Sequence, residues 1–241
     1  MTKARDTANL TGSGVGLSLL DIDAGTDIGA ALVDADLMIV DDGAGGTNRK
    51  ATMSRLATYM GGKITGGSLV YIASSGAISD AADVQFRAQD GHFDPTKYDH
   101  YQFWLQDVRP QTDTEYLYCH VSTDDGSNYD TTNGNYHLGG TGGTDTYGLP
   151  VARNGGIGSG VSTEYGVSGQ FMLLCPHRTS YTKSQSLTVY DRDGNVYQMS
   201  ASSFSSGVHL VSQDVDAVQF KMSSGNIESG EIVMYGIANG T

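Results

Sequence analysis

The chain has 241 residues, long enough to bury a sizeable core, and its apolar residues recur too regularly, at 38% of the total, for a disordered protein. With 33 Gly, 14 Tyr and only 4 Pro, it favours short strands joined by tight polar turns over helices. A formal net charge of −13 repels a phosphate backbone, so nucleic acid is not an expected partner.

The opening "MTKARDTANLTGSG" lacks the apolar core of a signal peptide, and no run of about 18 apolar residues occurs, so neither Sec export nor membrane insertion is expected. Residues 1–66 are poor in aromatics and rich in Ala, Gly and Asp, and are expected to form a small N-terminal module. In it "IGAALVDAD" is a brief apolar segment and "ADLMIVDDGAGG" a strand running into a loose turn. The following "NRKATMSRLATYM" places Met53, Leu56, Ala57 and Met60 at helical spacing, which predicts one amphipathic helix, capped by Thr47 or Asn48 and ended by Gly61–Gly62.

Residues 67–82 are expected as a linker or isolated strand, and residues 83–241 as an antiparallel β-sandwich of jelly-roll type. In "HYQFWLQDV" Tyr101, Phe103 and Leu105 alternate with Gln102, Trp104 and Gln106, and in "EYLYCHV" Leu117, Cys119 and Val121 alternate with Tyr116, Tyr118 and His120. Further strands are predicted at 170–177, 186–191, 195–204, 208–212, 217–224 and 230–237, with a hairpin turn at Asp193–Gly194. The segment 124–169, rich in Gly, Asp, Thr, Asn and Tyr, is expected as one long functional loop. Cys119 and Cys175 are the only cysteines, each in an apolar run, and are expected as buried thiols, with a disulfide as the alternative.

The stretch "GAGGTNRKAT" lacks the Gly-Lys pair of a phosphate loop, and no G-x-G-x-x-G occurs with βαβ units, so no nucleotide and no other cofactor is expected. "STDDGSNYDTTNGN" does not supply the sixth-position glycine and twelfth-position glutamate of an EF-hand; Asp–Gly turns explain it, with a structural cation at Asp124, Asp125 and Asp130 as the alternative. Neither a nucleophile elbow nor H-E-x-x-H is present, and the six histidines are scattered, so an enzyme is not expected. The polar loops do carry aromatics. Tyr129, Tyr136, His137, Tyr147 and Tyr165 are the candidate binding residues, since tyrosines among Gly, Asp and Asn can stack on sugars while their neighbours hydrogen-bond.

"ARDTANL" (4–10) with "DIGAALVDADLMIVDDGAGGTNRKATMSRLATYM" (27–60) resembles the N-terminal module of tailed-bacteriophage tail-fibre and related virion proteins. "YDHYQFWLQDVRPQTDTEYLYCHVSTDDGSNYD" (98–130) and "FKMSSGNIESGEIVMYGI" (220–237) resemble the opening and closing strands of a phage fibre or head-attached sandwich, and the four stretches cover 92 of the 241 residues. The resemblance implies a homotrimeric virion appendage made in the bacterial cytoplasm. Residues 1–66 would attach to other tail or capsid proteins through Arg49, Lys50, Met53, Leu56 and Met60, and the sandwich would contact a host surface glycan or envelope component. With 241 residues there is no room for a long shaft, which points to a short fibre or spike-like knob. A capsid decoration, head fibre or tail adaptor without a host-binding role is the alternative.

Overall fold

A computed structural model of the chain describes residues 30–41, 48–63, 69–132, 134–139, 144–145, 148–158, 166–191 and 203–238. It divides into two compact units, Met1–Ile64 and Thr65–Thr241. Among the described residues, no helix is long and apolar enough to cross a membrane.

In the first unit, β1 (Leu37–Asp41) and β2 (Asn48–Thr52) pair antiparallel with Leu37 opposite Thr52 and Ile39 opposite Lys50, and α1 (Met53–Lys63) follows directly. The expected helix therefore starts later than the sequence suggested, and Arg49 and Lys50 lie on a strand. Asn48 opens β2 rather than the helix and Thr47 lies outside the described residues; at the start of the helix the Met53 and Ser54 amides donate to the carbonyls of Asp36 and Asp34, at 2.9 and 3.3 Å, which satisfies two of the orphan N–H groups of the first turn. Nor do the two glycines end it, since the helix runs on to Lys63. Met53 and Leu56 are half-buried, whereas Met60 is 45% exposed, and so are Leu37, Ile39 and Tyr59 at 60–64%.

The second unit is a sandwich of antiparallel sheets, as the alternation predicted. The smaller sheet has the order β10-β7-β14-β5, from Leu149–Ile157, Glu115–Ser122, Ala217–Met222 and Val84–Arg87. The larger runs β3-β15-β6-β11-β12-β13-β8-β9, from Leu69–Ser74, Ile227–Ala238, Tyr98–Pro110, Val167–Leu174, Thr182–Val189, Ser203–His209, Tyr136–Leu138 and Thr144–Asp145. Strand β4 (Ile78–Ala81) also pairs with β15. Within residues 67–82, expected as a strand or a linker, Leu69–Ser74 and Ile78–Ala81 are two strands of the larger sheet, held by the long C-terminal strand.

Four of the six phenylalanines join the two layers. Phe103 and Phe171 come from the larger sheet and Phe86 and Phe220 from the smaller, all at most 1% exposed, with ring centroids 5.0–6.3 Å apart. Such tilted and edge-on contacts suit the aromatic quadrupole and add to area burial. The segment 124–169 is not one loop: β8, β9, β10 and the start of β11 lie in it, and Leu149, Val151, Ala152 and Ile157 are fully buried. The pairing of β12 with β13 brackets the predicted Asp193–Gly194 turn, which falls outside the described residues. Cys119 is buried and Cys175 half-buried, both as free thiols.

Strand β11 carries a close approach that only glycine allows. Gly169 has φ +139°, and a Cβ there would stand 2.3 Å from the Leu187 carbonyl oxygen. Gly169→Ala is expected to lower stability by about 2 kcal/mol, through strain and displacement of β12. A urea titration checks this, an unchanged midpoint being the contrary result.

Candidate binding sites of the sandwich

One concavity is a groove of about 670 Å³ on the outer side of the smaller sheet, within the size range of small-molecule sites. Its floor comes from β7, where Tyr116 and Tyr118 point outward because Leu117, Cys119 and Val121 point in. Their rings meet edge-on at 6.3 Å. Pro150 and Arg153 on β10 form one part of the wall, and Leu138, Gly139 and Phe204 from the β8–β13 edge form the opposite part. Tyr118 is 2% exposed, Tyr116 half-buried, and Phe204 63% exposed.

The polar groups of the groove are fixed by the β7–β14 pairing. Ser223, just after β14, accepts a hydrogen bond from the Tyr116 amide at 2.9 Å and donates from the same hydroxyl to Glu115 Oε2. The Ser223 amide in turn donates to the Tyr116 carbonyl at 2.8 Å. On the far wall the Gly139 amide donates to the Ser206 carbonyl at 2.8 Å, and a Cβ at Gly139 would collide with the Ser206 hydroxyl at 1.8 Å. The groove therefore presents aromatic faces, a carboxylate oriented by a hydroxyl, a guanidinium and several serines on rigid strands. Aromatic faces pack on the C–H surface of a pyranose ring, and the polar groups match its hydroxyls.

A second concavity, of about 400 Å³, lies over the 122–135 loop and the end of β13. Tyr129 lines it, half-buried, its phenol pushed up to about 12 by burial. Nearby, His209 is 1% exposed and its Nε2 lies 2.7 Å from Asp130 Oδ2, which also accepts from Asn135 Nδ2 at 2.7 Å. The Thr132 amide donates to Asp130 Oδ1 at 2.8 Å. Burial alone would raise the Asp130 carboxyl, but the hydrogen bonds from His209, Thr132 and Asn135 outweigh it and hold the group at about 2.

The three aspartates considered for a cation are each engaged by protein donors. Asp124 accepts from Asn128 and Ser122, which holds its carboxyl below the ordinary range, and Asp125 accepts from the Gln89 amide at 2.9 Å. Among the described residues no cluster of three or more His, Cys, Asp or Glu is arranged to hold a metal.

Of the five candidate binding residues, Tyr129, Tyr136 and His137 are described. Tyr136 is a correction: it is fully buried, its hydroxyl donating to the Asp130 carbonyl at 2.8 Å and accepting from the Val121 amide at 3.2 Å, so it ties the loop to the core and reaches no ligand. His137 lies half-buried on β8 opposite Val208, on the outer face of the larger sheet. Tyr147 and Tyr165 fall outside the described residues. The groove residues were not singled out from the sequence, although the outward alternation of Tyr116 and Tyr118 was legible there. No family model, no curated protein and no solved structure matches the chain.

Proposed function

We propose that this chain is a non-enzymatic structural protein of a tailed-bacteriophage particle, a short tail fibre or spike-like appendage whose sandwich binds a host surface glycan. The resemblance of residues 4–10, 27–60, 98–130 and 220–237 to virion proteins supplies the setting. The observation that carries the binding role is the groove over β7 and β10, with Tyr116, Phe204, Glu115 and Arg153 around one open space of about 670 Å³. Trimeric assembly, which belongs to this same proposal, would make weak individual sites sufficient through avidity. The first unit, with Leu37, Ile39, Tyr59 and Met60 exposed, suits burial against other virion proteins.

The test is binding of the full chain to host envelope polysaccharide, immobilised and read by surface plasmon resonance. Tyr116→Ala and Arg153→Ala are each expected to weaken binding by about tenfold, equivalent to ~1.4 kcal/mol, with the circular dichroism spectrum unchanged. Wild-type affinity in both variants, or no binding by the wild type, would count against the groove. A decoration or cement role is the second reading, favoured by the apolar residues exposed on the larger sheet, among them Trp104 and Leu187.

A further inference from the structure

The outer face of the larger sheet is built for contact with something as flat as itself. Register places Trp104, Gln170, Leu187 and Phe204 in one row across β6, β11, β12 and β13, all on the side away from the core. Trp104, Leu187 and Phe204 are 42%, 47% and 63% exposed, and Val189, two residues along β12 on the same side, is 42% exposed. At the β3 end Tyr71 and Tyr235 meet edge-on at 6.0 Å.

Charge is what sets this face apart. Across β11, β12, β13 and the His100–Gln106 stretch of β6, the charged side chain at an outward described position is Lys183; Glu231, which accepts a hydrogen bond from the Ser74 hydroxyl, Glu228 and the paired Asp107 and Arg109 lie along β15 and the far end of β6. Together these two cations and three carboxylates come to −1, in a chain of net charge −13. Two copies of so acidic a protein repel one another through most of their surface, and a nearly neutral face with apolar residues at its middle is where that repulsion is least and desolvation gains most.

The size also fits. Six strands about 4.8 Å apart, each offering about seven residues at about 3.4 Å, make a face of roughly 700 Å², close to the ~800 Å² per partner of a standard interface. We propose that the outer face of the larger sheet binds a second copy of this chain, with Trp104 and Leu187 near the centre of the contact. Phe204 ends the row where this face meets the groove, so association leaves the groove at the margin of the assembly and open. The inference does not depend on the virion reading.

Trp104 is the only tryptophan in the chain, which makes its fluorescence a report on this face alone. Light scattering and Trp104 emission of the full chain are followed together as concentration rises. The molar mass is expected at least to double while the emission shifts to the blue and acrylamide quenching falls severalfold. Leu187→Glu is expected to keep the monomer mass and the water-exposed emission at all concentrations. Lys221→Glu, at an exposed position of β14 on the other sheet, adds negative charge elsewhere and is expected to associate like the wild type. A chain that stays monomeric, or that associates while Trp104 remains fully quenchable, would overturn the proposal. So would a monomer whose Trp104 emission responds to added saccharide, since the face would then be a ligand platform.

Discussion

Phe103→Ala is expected to destabilise the sandwich by about 3–5 kcal/mol, enough to leave much of it unfolded at ordinary temperature. Phe103 is fully buried at the middle of β6 and is in ring contact with Phe86 at 5.4 Å, Phe220 at 5.0 Å and Phe171 at 6.1 Å. Two of these partners belong to the opposite sheet, so the truncation removes apolar area and opens a cavity on the seam between layers. Strand backbones are held by ladder hydrogen bonds on both sides of β6 and cannot collapse into that space. Phe103→Leu, which fills more of the volume, is expected to cost less, about 1–2 kcal/mol. Urea unfolding followed by circular dichroism measures both. Equal midpoints for wild type and Phe103→Ala would mean that this cluster does not hold the layers together.

Asp130→Ala is expected to cost about 3–5 kcal/mol, by leaving a buried partner without its counterpart. His209 is 1% exposed and its Nε2 loses the 2.7 Å contact, while the Thr132 amide and Asn135 side chain lose their acceptor. Asp130→Asn keeps an acceptor oxygen and should cost less. Acidity separates the variants. The folded-state Asp130 carboxyl sits at about 2, below the ordinary 3.8 of an aspartate. Its stabilisation is therefore fully present above the unfolded value and is lost as pH falls from about 4 towards about 2. Wild type minus Asp130→Asn stability should shrink across that window and be flat above it. A difference independent of pH would show that the carboxylate charge contributes nothing to the loop.

The alternation Tyr101, Phe103, Leu105 gave the inward face of β6 and left Trp104 outside, because one buried face imposes period two directly on the residues. Other elements depended on partners that local pattern does not contain. Asn48–Thr52 includes Arg, Lys and Ala, which favour helix, and became a strand through pairing with Leu37–Asp41. "NGNYHLGG" has the composition of a loop, yet Tyr136 is buried in it because its hydroxyl finds the Asp130 carbonyl and Val121 amide. Composition reports polarity of neighbours, not whether a phenol has partners inside. The groove was further from sight: Glu115 and Ser223 are separated by more than 100 positions and meet only because β7 and β14 are adjacent.

Immunogold labelling of intact particles with antibody raised against residues 65–241 tests the virion role most directly. Label at the tail end is the predicted result, with the sandwich presented outward toward the host. Particles that carry no label, while the same antibody detects the chain in the infected-cell lysate, would contradict the account.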